Sequence, residues 1–397
     1  MNNHLAFFTI LGLFLFGCET PTKKSKNTPT ETVSLTPTDA LSLFTLKDFF
    51  NSNPLLDQAT DSLYEHLSLE ASVGQRIITA YTGKYEQERE LLFHRIAQHQ
   101  IAGILVLEKQ SQIATDLSQF RQYNLQSLGV PLLFMIDGEP GILHARLPAS
   151  PSQLHTYADQ LESDFDVKEM AIDMTGYLAK LGFHLNLAPV CDIASPSSLV
   201  AKRSFGYEIT TAKPRIQTFI RETQGMGMVA TAKHFPGHGK VQGDSHLETV
   251  FIEGELTELP AFEAAIDVGV LSILVGHIGV RGNSEYDTQG LPATLSENII
   301  QQLLRKKMGF EGLILTDAMD MKGVSEIPNA VLLALKAGND LLLAPQLSVE
   351  LIHQIREELL NSPDMMSLHE ASVKRILRMK ICLGLYEKAI DPSLTKN

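Results

Sequence analysis

Lys233-His234-Phe235-Pro236-Gly237-His238-Gly239, followed four residues later by Asp244-Ser245-His246, packs three histidines, a lysine and an aspartate into a short stretch. A lysine ammonium is a compact three-donor cation suited to holding a hydroxyl or carbonyl oxygen. Asp244 and His246 are two apart, so an extended chain points both to one side. The carboxylate can then hydrogen-bond the imidazole, fix its tautomer and raise its basicity, which makes a proton-transfer dyad. His234 and His238 have the i, i+4 spacing of a helical metal pair. Pro236 and Gly237 between them oppose a helix, so no metal site is expected. A loop whose histidines merely satisfy buried carbonyls is the plainer alternative; the concentration of polar groups argues against it.

The second chemical segment is Gly312-Leu313-Ile314-Leu315-Thr316-Asp317-Ala318-Met319-Asp320-Met321. An apolar strand here delivers Asp317 to its end. A strand-end aspartate alone often caps the next helix; Asp320 reads as such a cap or as a supporting partner behind the reacting groups. Met319 and Met321 read as packing residues.

Positioning these groups requires a scaffold. Short apolar runs recur at Arg76–Ala80, Gly103–Leu107, Leu132–Ile136, His184–Ala188, Val229–Lys233, Ser272–Gly276, Leu313–Thr316 and Asp340–Leu343. Helical patterns fall between them, among others at Tyr85–Gln98, Val167–Leu181, Leu256–Val268 and Ser296–Lys307. Such alternation implies parallel strands with crossover helices, and eight units imply a closed (β/α)8 TIM barrel forming a single catalytic domain. An open doubly wound sheet is the competing arrangement, but no glycine-rich phosphate fingerprint follows the first strand. Barrel sites lie at the carboxyl ends of the strands. Asp137, Asp192, Lys233-His234, His277 and Asp317 all fall there.

Lys233–Gly239 with Asp244-Ser245-His246 resembles the signature of the single-domain β-N-acetylglucosaminidases of glycoside hydrolase family 3. Further blocks extend the resemblance over nearly everything after about residue 68: Ile136–Gly141, Leu187–Asp192, Arg203–Gly206, Gly312–Met321 and Ala334–Asp340. The resemblance implies Asp317 as nucleophile and His246, supported by Asp244, as acid/base. It implies sugar contacts from Asp137 and Arg203; Arg146, one residue beyond the usual spacing, is the candidate for a further arginine contact. Lys233 and His234 complete the expected substrate-binding set. Neither metal nor organic cofactor is needed. The implied reaction is retaining hydrolysis of terminal β-linked N-acetylglucosamine from muropeptides or chitin-like fragments. A β-glucosidase, a phosphorolytic glycosidase and a non-catalytic sugar-binding lipoprotein are the alternatives.

The ends and composition bear on location. Leu5–Phe16 is an apolar run too short to span a bilayer, and it reads with its flanks (1–17) as a signal peptide. Leu15-Phe16-Gly17-Cys18 resembles a bacterial lipobox, with Cys18 as the lipidated residue. Residues 18–40 form a Thr/Pro-rich tether that cannot build a core. The barrel domain is therefore expected over 41–397, exported and anchored to a membrane through an N-terminal lipid. A formal net charge of −13 across 397 residues argues against nucleic-acid partners. Cys191 and Cys382 lie in apolar segments and are expected as buried free thiols.

Overall fold

A computed structural model describes residues 44–108, 112–127, 130–241, 243 and 249–386. The expected signal peptide, Cys18 and the expected tether lie outside the described residues, as do Asp244 and His246. Among the described residues ten strands form: β1 (Ile77–Tyr81), β2 (Gly103–Val106), β3 (Leu133–Ile136), β4 (Leu185–Asn186), β5 (Val229–Phe235), β6 (Val250–Glu253), β7 (Ser272–Val275), β8 (Ile278–Arg281), β9 (Leu313–Ala318) and β10 (Leu341–Leu343). Eight of them close a parallel barrel in the order β1-β2-β3-β4-β5-β7-β9-β10, with β10 paired back to β1. All eight runs read from the sequence are barrel strands.

Burial on both faces explains why these strands read as continuous apolar runs rather than alternating ones. Ile78, Leu105, Leu133, Met135, Leu185, Leu274, Leu313, Leu315 and Leu343 pack together in the barrel interior. Their neighbours Ile77, Ile104, Val106, Phe134, Ile136, Ile273 and Ile314 pack in a second cluster with the helical layer. One face thus fills the lumen and the other anchors the crossovers, as a period of two requires. Val167–Leu181 is observed as Asp164–Leu181, its start fixed by a Ser163–Asp166 capping box and its end by Gly182 in the left-handed region. The helical pattern at Ser296–Lys307 is wound as a π-helix, Asn298–Lys307.

The barrel floor is closed by Phe44, Leu46, Phe49 and Leu56 together with Ile376, Met379 and Ile381 of the closing helix, Pro363–Cys382. Here Asp340, fully buried, accepts from Arg305 and Arg375 at 2.6 Å each and from the Ile314 amide at 2.7 Å. Burial would raise its carboxyl, but the two guanidinium groups outweigh that and hold it below the usual range.

The sequence did not foretell the β6–β8 ribbon. These two strands pair parallel to each other outside the barrel, from Val250↔Ile278 to Glu253↔Arg281. The Arg281 guanidinium sits 3.3 Å from the Phe251 ring centroid. Cys191 and Cys382 are buried free thiols, as expected. Among the described residues no helix is long and apolar enough to cross a membrane.

Candidate active site

A cavity of about 330 Å³ opens where the barrel strands end, lined by Asp137, Arg146, Arg203, Lys233, His234, His238, Asp317 and Asp320 among others. Six of the sequence-predicted site residues, Asp137, Arg146, Arg203, Lys233, His234 and Asp317, therefore share one pocket.

Strand β3 ends at Ile136 and delivers Asp137 and Glu139. Asn186 at the end of β4 fixes this turn: its Oδ1 accepts the Gly138 amide at 2.9 Å and its Nδ2 donates to the Gly138 carbonyl at 2.8 Å. A Cβ at Gly138 would sit 2.9 Å from Asn186 Oδ1, so a side chain there would push this asparagine out of place. Strand β5 delivers Lys233, whose ammonium bridges Asp137 and Glu139, the latter at 2.5 Å. Arg203 grips the other side of Glu139 through Nε and Nη2, both at 2.7 Å. Arg146 reaches Asp137 Oδ2 at 3.2 Å and also donates to the Leu107 carbonyl. Three cations thus surround two carboxylates, and Asp137 is held far below the usual carboxylate range. Burial opposes that shift, but Lys233, Arg203 and Arg146 overcome it. An ionised carboxylate at the pocket wall can accept hydrogen bonds from hydroxyl groups.

Asp192, on the segment after β4 that bridges to β5 through Val190 and Lys233, orients His234. Its Oδ2 accepts from His234 Nδ1 at 2.8 Å, while Oδ1 accepts the amides of His234 and His238 at 3.1 and 2.8 Å. That network assigns the proton to Nδ1 and turns Nε2 toward Arg203, 3.5 Å away. Asp192 is fully buried, yet His234 keeps its carboxyl below the ordinary value.

Asp317 arrives on β9. Thr316, just before it, accepts the Leu343 amide at 3.1 Å through its hydroxyl and so ties β9 to β10 where their register shifts. Asp317 Oδ1 accepts the Ala318 amide at 2.8 Å. Burial raises its carboxyl, but His277, His234 and Lys233 lie close enough to bring it below the usual value, so it is ionised at neutral pH. His277 is fixed between the Thr294 hydroxyl at 2.8 Å and the Ala318 carbonyl at 3.0 Å. The Ala318 carbonyl can only accept, which makes Nε2 the donor. Asp320 is exposed at the pocket mouth and caps no helix; the short turn after it, Lys322–Ser325, starts from Met321. The expected capping role is therefore not what this residue does.

Sequence reading missed Glu139. Its signal was present in Asp137-Gly138-Glu139, because a second acid two residues on returns to the same side of an extended segment. Among the described residues no cluster of His, Cys, Asp and Glu has a metal-holding arrangement.

A closed (β/α)8 barrel whose rim gathers an ionised aspartate, a cation-bridged carboxylate pair and an oriented histidine is built for chemistry on a small polar substrate. Residues 68–379 match the glycosyl hydrolase family 3 N-terminal domain, and the chain belongs to that family. It is 33% identical over 273 residues to a beta-hexosaminidase of Glaesserella parasuis serovar 5 (strain SH0165), covering 65% of this chain and 76% of the relative. Among solved structures it resembles a family 3 beta-N-acetylglucosaminidase from Paenibacillus sp. str. FPU-7, with a TM-score of 0.70 and 27% identity. That likeness covers 80% of this chain but 63% of the other, so this protein spans under two thirds of the Paenibacillus chain. The beta-N-acetylhexosaminidase of Beutenbergia cavernae DSM 12333 aligns with TM-score 0.70 and 25% identity, over 78% of this chain and 98% of its own.

Proposed function

We propose that this family 3 glycoside hydrolase is a retaining, exo-acting β-N-acetylglucosaminidase acting on terminal, non-reducing β-linked N-acetylglucosamine of cell-wall or chitin-like fragments. The observation that carries the reading is Asp317: ionised, at a strand end, on the wall of the pocket it shares with Asp137, Lys233 and Arg203. The names of the hexosaminidase relatives support the choice of sugar.

In this reading Asp137, Lys233, Arg203, Arg146 and His234 hold the terminal sugar with its anomeric carbon toward Asp317. His246, paired with Asp244, protonates the leaving oxygen as an Asp317 oxygen attacks, giving a glycosyl-enzyme. His246 then takes a proton from water, which releases the sugar with retained configuration. An imidazole with an ordinary value near 6.5 suits both halves of that exchange at neutral pH. Residues 1–17 serve as a signal peptide and Cys18 carries the lipid. The exported barrel is then held by its tether at the periplasmic or outer-membrane face.

A panel of nitrophenyl β-glycosides, with and without phosphate, tests the reading. Fastest release from the N-acetylglucosaminide, independent of phosphate and abolished in Asp317→Asn, is expected. Preference for the glucoside, or dependence on phosphate, would reassign substrate or acceptor.

A further inference from the structure

Glu258 lies outside the pocket lining, at the start of the helix Leu259–Asp267, and is 3% exposed. One of its oxygens, Oε2, accepts two backbone amides from two different loops: Ile193 at 2.7 Å and Gly239 at 3.1 Å. Ile193 follows Asp192, the carboxylate that orients His234; Gly239 ends the Lys233–Gly239 motif. Asp192 and Glu258 between them hold the amides of Ile193, His234, His238 and Gly239.

The glycines of the motif fit this clamp. Gly237 has φ +135, and a Cβ there would lie 2.7 Å from Glu258 Cβ and Cδ. A Cβ at Gly239 would lie 2.3 Å from the Ile193 carbonyl oxygen. Both positions are bare so that Glu258 and the Ile193 loop can close onto the motif. Glu258 is pushed up to about 8, by burial first and by the Asp192 charge second. Near neutrality the clamp therefore holds one negative charge, on Asp192, and a neutral acid whose carbonyl oxygen serves both amides.

From this geometry we infer that Glu258 is a positioning residue for glycoside cleavage, fixing the Asp192–His234 pair and the strand-end loop through two backbone amides. The inference rests on the catalytic reading of the pocket given above, though not on the identity of the sugar. Glutamine keeps a carbonyl oxygen in the same place, whereas alanine removes it and frees both loops. Displacement of reacting groups by about 1 Å costs on the order of a hundredfold in rate.

The test measures kcat, KM and melting curves for wild type, Glu258→Gln, Glu258→Ala and Glu258→Asp, using whichever nitrophenyl β-glycoside wild type cleaves fastest. Glu258→Gln should keep kcat/KM within about threefold, while Glu258→Ala should melt cooperatively and lose kcat on the order of a hundredfold. Alanine within twofold of wild type, or equal losses for glutamine and alanine, overturns the inference. Should alanine not fold, Glu258→Asp, one methylene short of Gly239, reads the same quantity. A kcat at least about tenfold down supports the clamp, and an unchanged one overturns it. Failure of the substrate reading looks different: another glycoside becomes the best substrate while the glutamine-to-alanine contrast persists.

Discussion

Arg203 meets Glu139 through two parallel hydrogen bonds of 2.7 Å, and Glu139 is fully buried beneath it. Only a planar fork makes that contact, so lysine is not a conservative replacement. Arg203→Lys should raise KM and lower kcat/KM by at least about tenfold, as the loss of one charge-assisted bond predicts. It should also melt lower, because one of the two hydrogen bonds to the buried Glu139 carboxylate is lost, worth about 1.5–3 kcal/mol. Kinetics and melting within error of wild type would remove Arg203 from the site.

Lys380 offers a test of the scaffold rather than the chemistry. Its ammonium is fully buried in the barrel floor, with a 2.5 Å hydrogen bond to Gln75 Oε1. Burial lowers it to about 7 from an ordinary value of 10.5. Between those two values the unfolded chain binds the extra proton and the folded one does not, so this group makes stability rise with pH across the window. Stability is correspondingly lost as pH falls from 10.5 toward 7. Lys380→Met should flatten that slope and stabilise the protein most at pH 7, less whatever the lost Gln75 bond contributes, about 1 kcal/mol. Urea midpoints at pH 7 and 9.5 decide it; an unchanged slope would show the amine is charged throughout.

The barrel was legible in the sequence because its signal is redundant. Each strand is buried on both faces and reads as an apolar run, and eight such runs spaced by helical stretches allow few topologies. Asp137, Lys233, His234 and Asp317 were legible for a related reason: they stand at the ends of those runs or directly after them. Glu139 and Glu258 were not. Glu139 pairs with Arg203, sixty-four positions away, and Glu258 reaches Ile193 across sixty-five, distances no local pattern encodes. The β6–β8 ribbon escaped because strand pairing outside the barrel has no period linking Val250–Glu253 to Ile278–Arg281.

The proposed dyad predicts a dependence on leaving group. His246→Ala should slow substrates with poor leaving groups far more than activated aryl glycosides, since only the former require a proton donor. Loss of on the order of a hundredfold or more is expected for the former. Asp244→Asn should follow the same pattern more mildly. Equal losses across leaving groups would take the acid/base role away from His246.

The proposed membrane anchoring rests on the resemblance of Leu15-Phe16-Gly17-Cys18 to a lipobox. Protein made from the natural coding sequence should carry a lipid on Cys18 and fractionate with membranes, and Cys18→Ala should do neither. Equal membrane association of both forms without acylation would mean the N-terminus works otherwise.

The proposed mechanism turns on a covalent intermediate at Asp317. An N-acetylglucosaminidase can instead use the substrate's own acetamido oxygen, with an acidic pair to orient and protonate. Asp317 and Asp320 could resemble such a pair, but Asp320 is exposed at the mouth while Asp317 is ionised and hydrogen-bonded at the wall. A fluorinated slow substrate, followed by peptide mass spectrometry, measures the claim directly. One added sugar mass on the peptide containing Thr316-Asp317-Ala318 is the predicted result. Labelling on Asp320, or no label together with tight inhibition by a thiazoline mimic of the cyclised acetamido group, would contradict it.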